Sequence, residues 1–553
     1  MDVSLPKYFF MFRSFLLMIY LLIFTVSFSI AQSTKPKLVV GLVIDQMRWD
    51  YLYRYQDLYG PNGFKRLLKE GFSAENAMIP YLPPVTGAGH TSIYTGSVPA
   101  INGIVANDWV DRETGVIMYC AKDTTVMPVG SNSKWEGQMS PRNMLTNTIG
   151  DELKLATNFR SKVFGFALKD RGGIFPAGHS ADAAYWFDNK TGRIITSTYY
   201  MNQLPLWVQQ FNARNVPDSF MKNDWTLLYD KSKYVQSTED DMPFEKLLES
   251  DKGRTFPHHY QSVIGSNNYD PFRASPFGNT YTLGLAKELI NNEKLGMGPD
   301  TDMLCVSVSS TDYLGHRFGP NSLELEDTYL RLDKDIAAFL VFLDNKYGKN
   351  NYLLFLSADH GSPQIGEFLR SKKYHTAGSL NSNTLIKDIN AVCKEKFGLT
   401  NIAKKIYDYD LYLDHRVIDS AGLNEKEIKK VIVSYLKTVP EVWNAFDMDD
   451  LYQTTLPGVI REKLSNSYYF RRSGDVQYFY KPQYTDFTKE GVEHGVWNPY
   501  DSHIPCVFYG WGVKPGKTNR ETYMTDIAPT IAAMLKIQMP NGSVGKVITE
   551  LIK

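Results

Sequence analysis

Leu38-Val39-Val40-Gly41-Leu42-Val43-Ile44-Asp45-Gln46 is an unbroken apolar run closed by a carboxylate. A short run rich in Val, Ile and Leu, without polar alternation, reads as a parallel strand buried on both faces. Val163–Leu168, Met303–Val308, Tyr352–Leu356 and Cys506–Tyr509 have the same character. Helical patterns lie between these runs. Ser322–Leu343 sets Leu332, Ile336, Phe339, Leu340 and Leu343 on one face. Asp526–Leu535 is a second helix, with Asp526 placed to cap its start. Alternating strands and helices specify an α/β fold: a doubly wound, mostly parallel central sheet flanked by helices.

Two long stretches fit that alternation poorly. Residues from about 180 to 290 are rich in aromatic and polar side chains, and those from about 365 to 490 are mixed and charged. Both read as insertions into one α/β domain spanning residues 32–553. They either shape a substrate cleft around the rim of the sheet or are surface elaborations.

The chain of 553 residues is 43% hydrophobic and 22% charged, the composition of a globular protein. Lys7 and Arg13 precede an apolar run from about Phe15 to Ile30, and Ser29-Ile30-Ala31 supplies small residues for cleavage. Residues 1–31 therefore read as an export signal, and the mature protein as periplasmic or secreted without a stable membrane anchor. An uncleaved anchor is the alternative, although the run is short for a span. Cleavage removes Asp2, Lys7 and Arg13 and moves the net charge from zero to −1. That balance gives no electrostatic platform for nucleic acid. Cys120, Cys305, Cys393 and Cys506 are too widely spaced for a zinc ribbon. Cys305 and Cys506 lie in strand-like runs where a buried free thiol is expected, and disulfide pairing is left open.

The chemistry lies where acids and histidines follow strands. Asp45 ends the first run, Asp312 and His316 follow the third, and Asp359-His360-Gly361 follows the fourth. In an open α/β sheet, ligands bind beyond the carboxyl ends of the strands, so these side chains share one rim. Carboxylate plus imidazole without clustered thiolates suits catalytic zinc, with manganese or iron as alternatives. Asp312 and His316 are one helical turn apart. Taken singly, each motif also suits a capping Asp and a surface His. Thr86, in Pro83-Pro84-Val85-Thr86-Gly87-Ala88-Gly89-His90, precedes an expected helix. It is either an N-cap or a nucleophile at a helix end that favours phosphate.

Together these motifs resemble the alkaline phosphatase superfamily, and within it the PafA-type alkaline phosphatases, over about residues 38–535. The resemblance implies phosphate-monoester hydrolysis with two Zn2+ ions, small-molecule phosphate monoesters as partners, and Thr86 as nucleophile. One zinc would be held by Asp312, His316 and His494; His503 is the rival for the last position. The other would be held by Asp45, Asp359 and His360, with Thr86 joining when deprotonated. Asn107 matches an asparagine that donates to a phosphoryl oxygen. Lys169 and Arg171 match the two cations that favour a doubly charged monoester over a diester. A phosphodiesterase or nucleotide pyrophosphatase of the superfamily and a non-catalytic metal- or phosphate-binding protein are the alternatives. The Cys-or-Ser-x-Pro-x-Arg pattern of sulfatases is missing from the Thr86 region, and a phosphoglycerate mutase would be out of place in an exported chain.

Overall fold

Strands β1 (Leu38–Ile44), β2 (Phe72–Met78), β3 (Val163–Ala167), β4 (Ala183–Asp188), β5 (Arg193–Ser197), β6 (Asp302–Val308), β7 (Tyr352–Ser357) and, near the C-terminus, Cys506–Gly510 build one large sheet. The structure is a computed structural model that describes residues 35–251, 253–486 and 490–552. The expected export signal, residues 1–31, lies outside the described residues. No described helix is long and apolar enough to cross a membrane.

Every residue of β1, β6 and β7 is buried, as their unbroken apolar runs require. β1 sits at the centre. It pairs in parallel with β7, with Leu38 opposite Tyr352, and with β6, with Leu38 opposite Asp302. β3 and β4 continue the parallel set. The Cys506–Gly510 strand differs from the expected parallel orientation: it pairs antiparallel with β7. An apolar run encodes burial but not direction, and direction here comes from how the chain returns to the sheet.

Helices cover both faces, among them α1 (Thr86–Thr95), α2 (Asp170–Ala177), α3 (Pro276–Asn292), α4 (Ser310–Phe318) and α5 (Leu323–Tyr347). α5 buries Leu332, Ile336, Phe339, Leu340 and Leu343, the stripe expected from the sequence. The last long helix spans Ile527–Leu535. Asp526 does stand before it, but its carboxylate does not cap it; it accepts the Tyr523 and Lys546 N–H groups instead.

The stretch around 180–290 opens with β4 and β5, which belong to the main sheet, and ends in α3. The stretch around 365–490 carries its own four-stranded antiparallel sheet (Ala403–Tyr407, Asp410–Leu413, Val476–Tyr480, Val442–Asp447). Helices Ser382–Phe397 and Glu425–Leu436 close a separate core around Ile389, Leu411, Ile432 and Tyr478. This cap is tied to the body by Arg112, whose Nη2 lies 2.6 Å from the buried Asp475 carboxylate. All four cysteines are buried free thiols.

One glycine in β1 governs how α1 seats on the sheet. A Cβ on Gly41 would collide with the Tyr94 hydroxyl from α1 and with the Phe355 ring. We expect Gly41→Ala to lower stability by roughly 1–3 kcal/mol through overpacking. Gly284→Ala, at an exposed position in α3 with open space around it, should raise stability by about 0.4–1 kcal/mol. Urea unfolding midpoints of the two variants check both signs.

Candidate active site

Because β1, β3, β6 and β7 are parallel, their carboxyl ends open on one edge of the sheet. Asp45 follows β1 directly, and its N–H donates to Val308 O at the end of β6 (3.0 Å). Asp312 and His316 lie one turn apart on α4, with His316 Nε2 3.2 Å from Asp312 Oδ1. Asp359 and His360 follow β7. Lys169 and Arg171 stand between β3 and the first turn of α2. Thr86 is the first residue of α1; Val85, in extended conformation, is the N-cap.

These positions converge. The ligand atoms of Asp45, Asp359 and His360 lie within 4.8 Å of one another, and so do those of Asp312, His360 and His494. His316 completes the second group through Asp312, and its ring centroid is 5.0 Å from that of His494. Lys169 Nζ bridges the groups, 2.7 Å from Asp45 Oδ2, 2.6 Å from Asp312 Oδ2 and 3.3 Å from Thr86 Oγ1. His503 lies elsewhere: it stacks on Trp49, and its Nε2 meets Glu75 O at 2.9 Å.

The donor set fits metal ions. His316, His360 and His494 each turn Nδ1 to a backbone carbonyl: Val492 O at 2.7 Å, Gly361 O at 3.0 Å and Pro84 O at 3.0 Å. Each Nε2 is thereby fixed toward the carboxylates, the arrangement that orients imidazole ligands on a metal. Asp45 Oδ1, Asp359 Oδ2 and His360 Nε2 are buried without hydrogen-bond partners among the described residues. Three buried carboxylates crowd together here with the Lys169 ammonium against two of them, and the oxygens left without partners are the atoms a bound cation would satisfy.

Charge states follow from this crowding. Burial, then Asp359, pushes the Asp45 carboxyl well above its usual range. Burial would also raise Asp312, but His316 and Lys169 hold it well below. Burial opposes charge on His316, yet Asp312 and Glu493 carry it up to about 10. His494 is pushed well down by burial and by the neighbouring His360 and His316 rings, and His360 is lowered chiefly by burial, so both favour the neutral form that binds metal. Lys169 is raised: burial is outweighed by Asp312 and Asp45.

Around Thr86, the Gly87 N–H donates to Asn107 Oδ1 (2.9 Å), which leaves the Asn107 Nδ2 hydrogens for another acceptor. Arg171 Nη1 donates to Tyr119 Oη (3.1 Å), while Arg171 Nε is buried without a partner among the described residues. Lys169, Arg171, Tyr313 and Arg273 border a cavity of about 190 Å³.

A family model for type I phosphodiesterase / nucleotide pyrophosphatase matches residues 39–501. Over 523 residues the chain is 52% identical to a protein of Myroides odoratus named calcium-transporting ATPase, covering 94% of this chain and 95% of that one. It is 50% identical to the alkaline phosphatase PhoV of Synechococcus elongatus over 519 residues, 94% of this chain and 93% of the relative. A crystal structure of wild-type alkaline phosphatase PafA superposes with a TM-score of 0.92 at 48% identity, covering 94% of this chain and 99% of that chain. The chain belongs to the PafA-like alkaline phosphatases. It is a phosphoric monoester hydrolase.

Several residues that hold this PafA-like site together escape the sequence motifs. His90 Nδ1 lies 3.0 Å from Thr86 O and 3.2 Å from Asp359 Oδ2, and its Nε2 meets Ser307 Oγ at 2.8 Å. Asp501 Oδ2 accepts the Gly495 and Val496 N–H groups at 2.8 and 2.9 Å and so shapes the loop carrying His494. A Cβ on Gly89 would stand 2.5 Å from Asp359 O, so α1 approaches Asp359 only because that residue is glycine.

Gln46 spans both groups. Its N–H donates to Asp359 Oδ1 (3.1 Å) and its Nε2 to Asp312 Oδ1 (2.9 Å). It does so in the left-handed region, at φ +63°, a strain that the surrounding structure must hold. Gly315 leaves room for it, since a Cβ there would collide with the Gln46 amide. His90 sits four residues after Thr86 and Gln46 directly after Asp45, and that adjacency was their only sequence signal. Gln46→Ala keeps the backbone contact and removes the donor to Asp312; metal affinity should fall roughly 10–100-fold. Competition with a chromophoric chelator measures this, and unchanged affinity would contradict the bridging role.

Proposed function

We propose that the chain is an exported, zinc-dependent alkaline phosphatase that cleaves small phosphate monoesters through a phosphothreonine intermediate. The observation that carries the reading is the convergence of His316, His360 and His494, each anchored through Nδ1, on three buried carboxylates beside Thr86. Asp312, His316 and His494 would hold one zinc; Asp45, Asp359, His360 and deprotonated Thr86 would hold the other. When bound, the two ions would lower the pKa of the Thr86 hydroxyl and stabilise charge on the leaving oxygen.

The chain's own groups do the rest. Thr86 Oγ1 attacks phosphorus, the bond from phosphorus to the ester oxygen breaks, and the alcohol departs on the far side. Water then cleaves the phosphothreonine, releasing inorganic phosphate and restoring the hydroxyl. The N-terminus of α1 favours the incoming anion. Asn107 donates to a non-bridging oxygen through Nδ2. Lys169 and Arg171 stay protonated beside the other oxygens, where charge spreads in a loose transition state. Burial opposes charge on Arg171, but Tyr119 and Asp170 hold its pKa well above the usual guanidinium value. Two such cations match the doubly charged monoester and disfavour a diester, which carries one charge fewer. Export is supported by Lys7, Arg13 and the apolar run that follows them.

Thr86→Ala should retain close to two zinc ions by elemental analysis while losing at least about a thousandfold in kcat; full turnover in that variant would refute the nucleophile. Arg171→Ala should lower kcat/KM roughly 10–100-fold for an aryl monoester and less for the matching diester. A larger loss on the diester would favour the phosphodiesterase reading. Two bound zinc ions with no turnover of either ester would mark a binding protein.

A further inference from the structure

Beside His494, on the side of the site formed by the cap, lies a second cavity of about 300 Å³. Its lining includes Asp408, Tyr409, Asp486, Glu493 and His494. His494 belongs to both places, since its Nε2 lies 3.7 Å from Asp312 Oδ1 while its ring borders the cleft. The cleft therefore adjoins the Asp312–His316–His494 group through His494, whereas the cavity bordered by Lys169, Arg171 and Arg273 shares none of its lining.

The cleft is acidic and only partly neutralised: Lys246 and His316 both face Glu493. Among the described residues, neither Asp408 nor Asp486 forms an ion pair with a lysine or arginine. Asp486 Oδ1 accepts the Ser382 N–H (3.0 Å) at the start of the Ser382–Phe397 helix, whose next two N–H groups are taken by the Asn381 side chain. Glu493 Oε2 lies 3.4 Å from His316 Nδ1. Tyr409, 2% exposed, borders the cleft with a hydroxyl that has no hydrogen-bond partner among the described residues. Burial, then Asp108 and Glu493, pushes the Asp408 carboxyl up to about 7, so it is ionised in alkaline solution.

In-line attack by Thr86 expels the alcohol on the opposite side of phosphorus. On the phosphatase reading given above, the Asp312–His316–His494 group receives that oxygen, and the rest of the alcohol extends past His494. We infer that this cleft is the leaving-group subsite and that its carboxylates select monoesters of cationic amino alcohols over monoesters of anionic alcohols. The inference rests on the phosphatase reading and adds the substrate class to it. Charge acts here on the alcohol, not on the phosphoryl group, which Lys169 and Arg171 hold on the other side.

Three esters of primary alcohols separate charge from chemistry: phosphocholine, glycerol 3-phosphate and 3-phosphoglycerate. With zinc-loaded enzyme at low salt, kcat/KM should fall in that order, with about a tenfold spread between first and last. Raising the ionic strength should narrow the spread. In the Asp408→Asn/Asp486→Asn double variant the spread should shrink to about twofold, with glycerol 3-phosphate turnover reporting whether the variant is folded. Turnover with no charge order, with the reverse order, or with a spread that neither salt nor the double variant alters would overturn the inference alone. If the double variant is inactive on all three esters, the salt series on the wild type decides. No turnover of any ester by zinc-loaded wild type would overturn the phosphatase reading itself.

Discussion

Asp45, Asp312 and Asp359 are brought side by side at the ends of three parallel strands, buried from water, with the Lys169 ammonium against Asp45 and Asp312. Isolated buried carboxylates are expensive, and three together repel one another. Much of the surrounding architecture manages that repulsion. Gln46 gives one hydrogen bond to each of two acids, His90 leans on Asp359, and the imidazoles of His316, His360 and His494 are fixed with Nε2 inward. Pinning through backbone carbonyls matters because it sets the tautomer and the aim before any ligand arrives. The glycines belong to the same economy of space: Gly89, Gly315 and Gly361 stand where Asp359, Gln46 and the Tyr500 carbonyl come too close for a Cβ.

Much of this was legible in the amino-acid order. β1, β6 and β7 are apolar throughout because both faces are covered, so their ends, and the polar residues just beyond them, could be located. Asp45, Asp312, His316, Asp359 and His360, taken together, follow from that logic, whereas Asn107, Lys169, Arg171 and His494 were named through the family resemblance. Other features depend on contacts between distant segments. The antiparallel direction of the Cys506–Gly510 strand is set by the return of the chain, which periodicity does not record. Asp526 looked like a helix cap, but its acceptors are engaged by Tyr523 and by Lys546, twenty residues on. Asp501 lies beside His503, the rival ligand, yet its task is to hold the Gly495–Val496 turn, a role visible only once the loop is folded.

The cap makes a different contribution. Its antiparallel sheet and helices form a core of their own, clamped to the body through Arg112 and Asp475, and it adds no residue to the six carboxylates and imidazoles of the centre apart from His494, which follows its last strand. What it does supply is the acidic wall beside His494. On the proposed function, the body would present cations to the phosphoryl group through Lys169 and Arg171, while the cap would present anions to the alcohol. One site would then place opposite electrostatic demands on the two halves of a single ester.

Anomalous X-ray diffraction from crystals of the purified protein, recorded on both sides of the zinc absorption edge, tests the centre most directly. Two zinc peaks are expected, one bonded to the Nε2 atoms of His316 and His494 and to Asp312, the other to His360 Nε2, Asp45 and Asp359. Peaks at other residues, or a centre in which Lys169 alone neutralises the three acids in protein that is fully active, would contradict it.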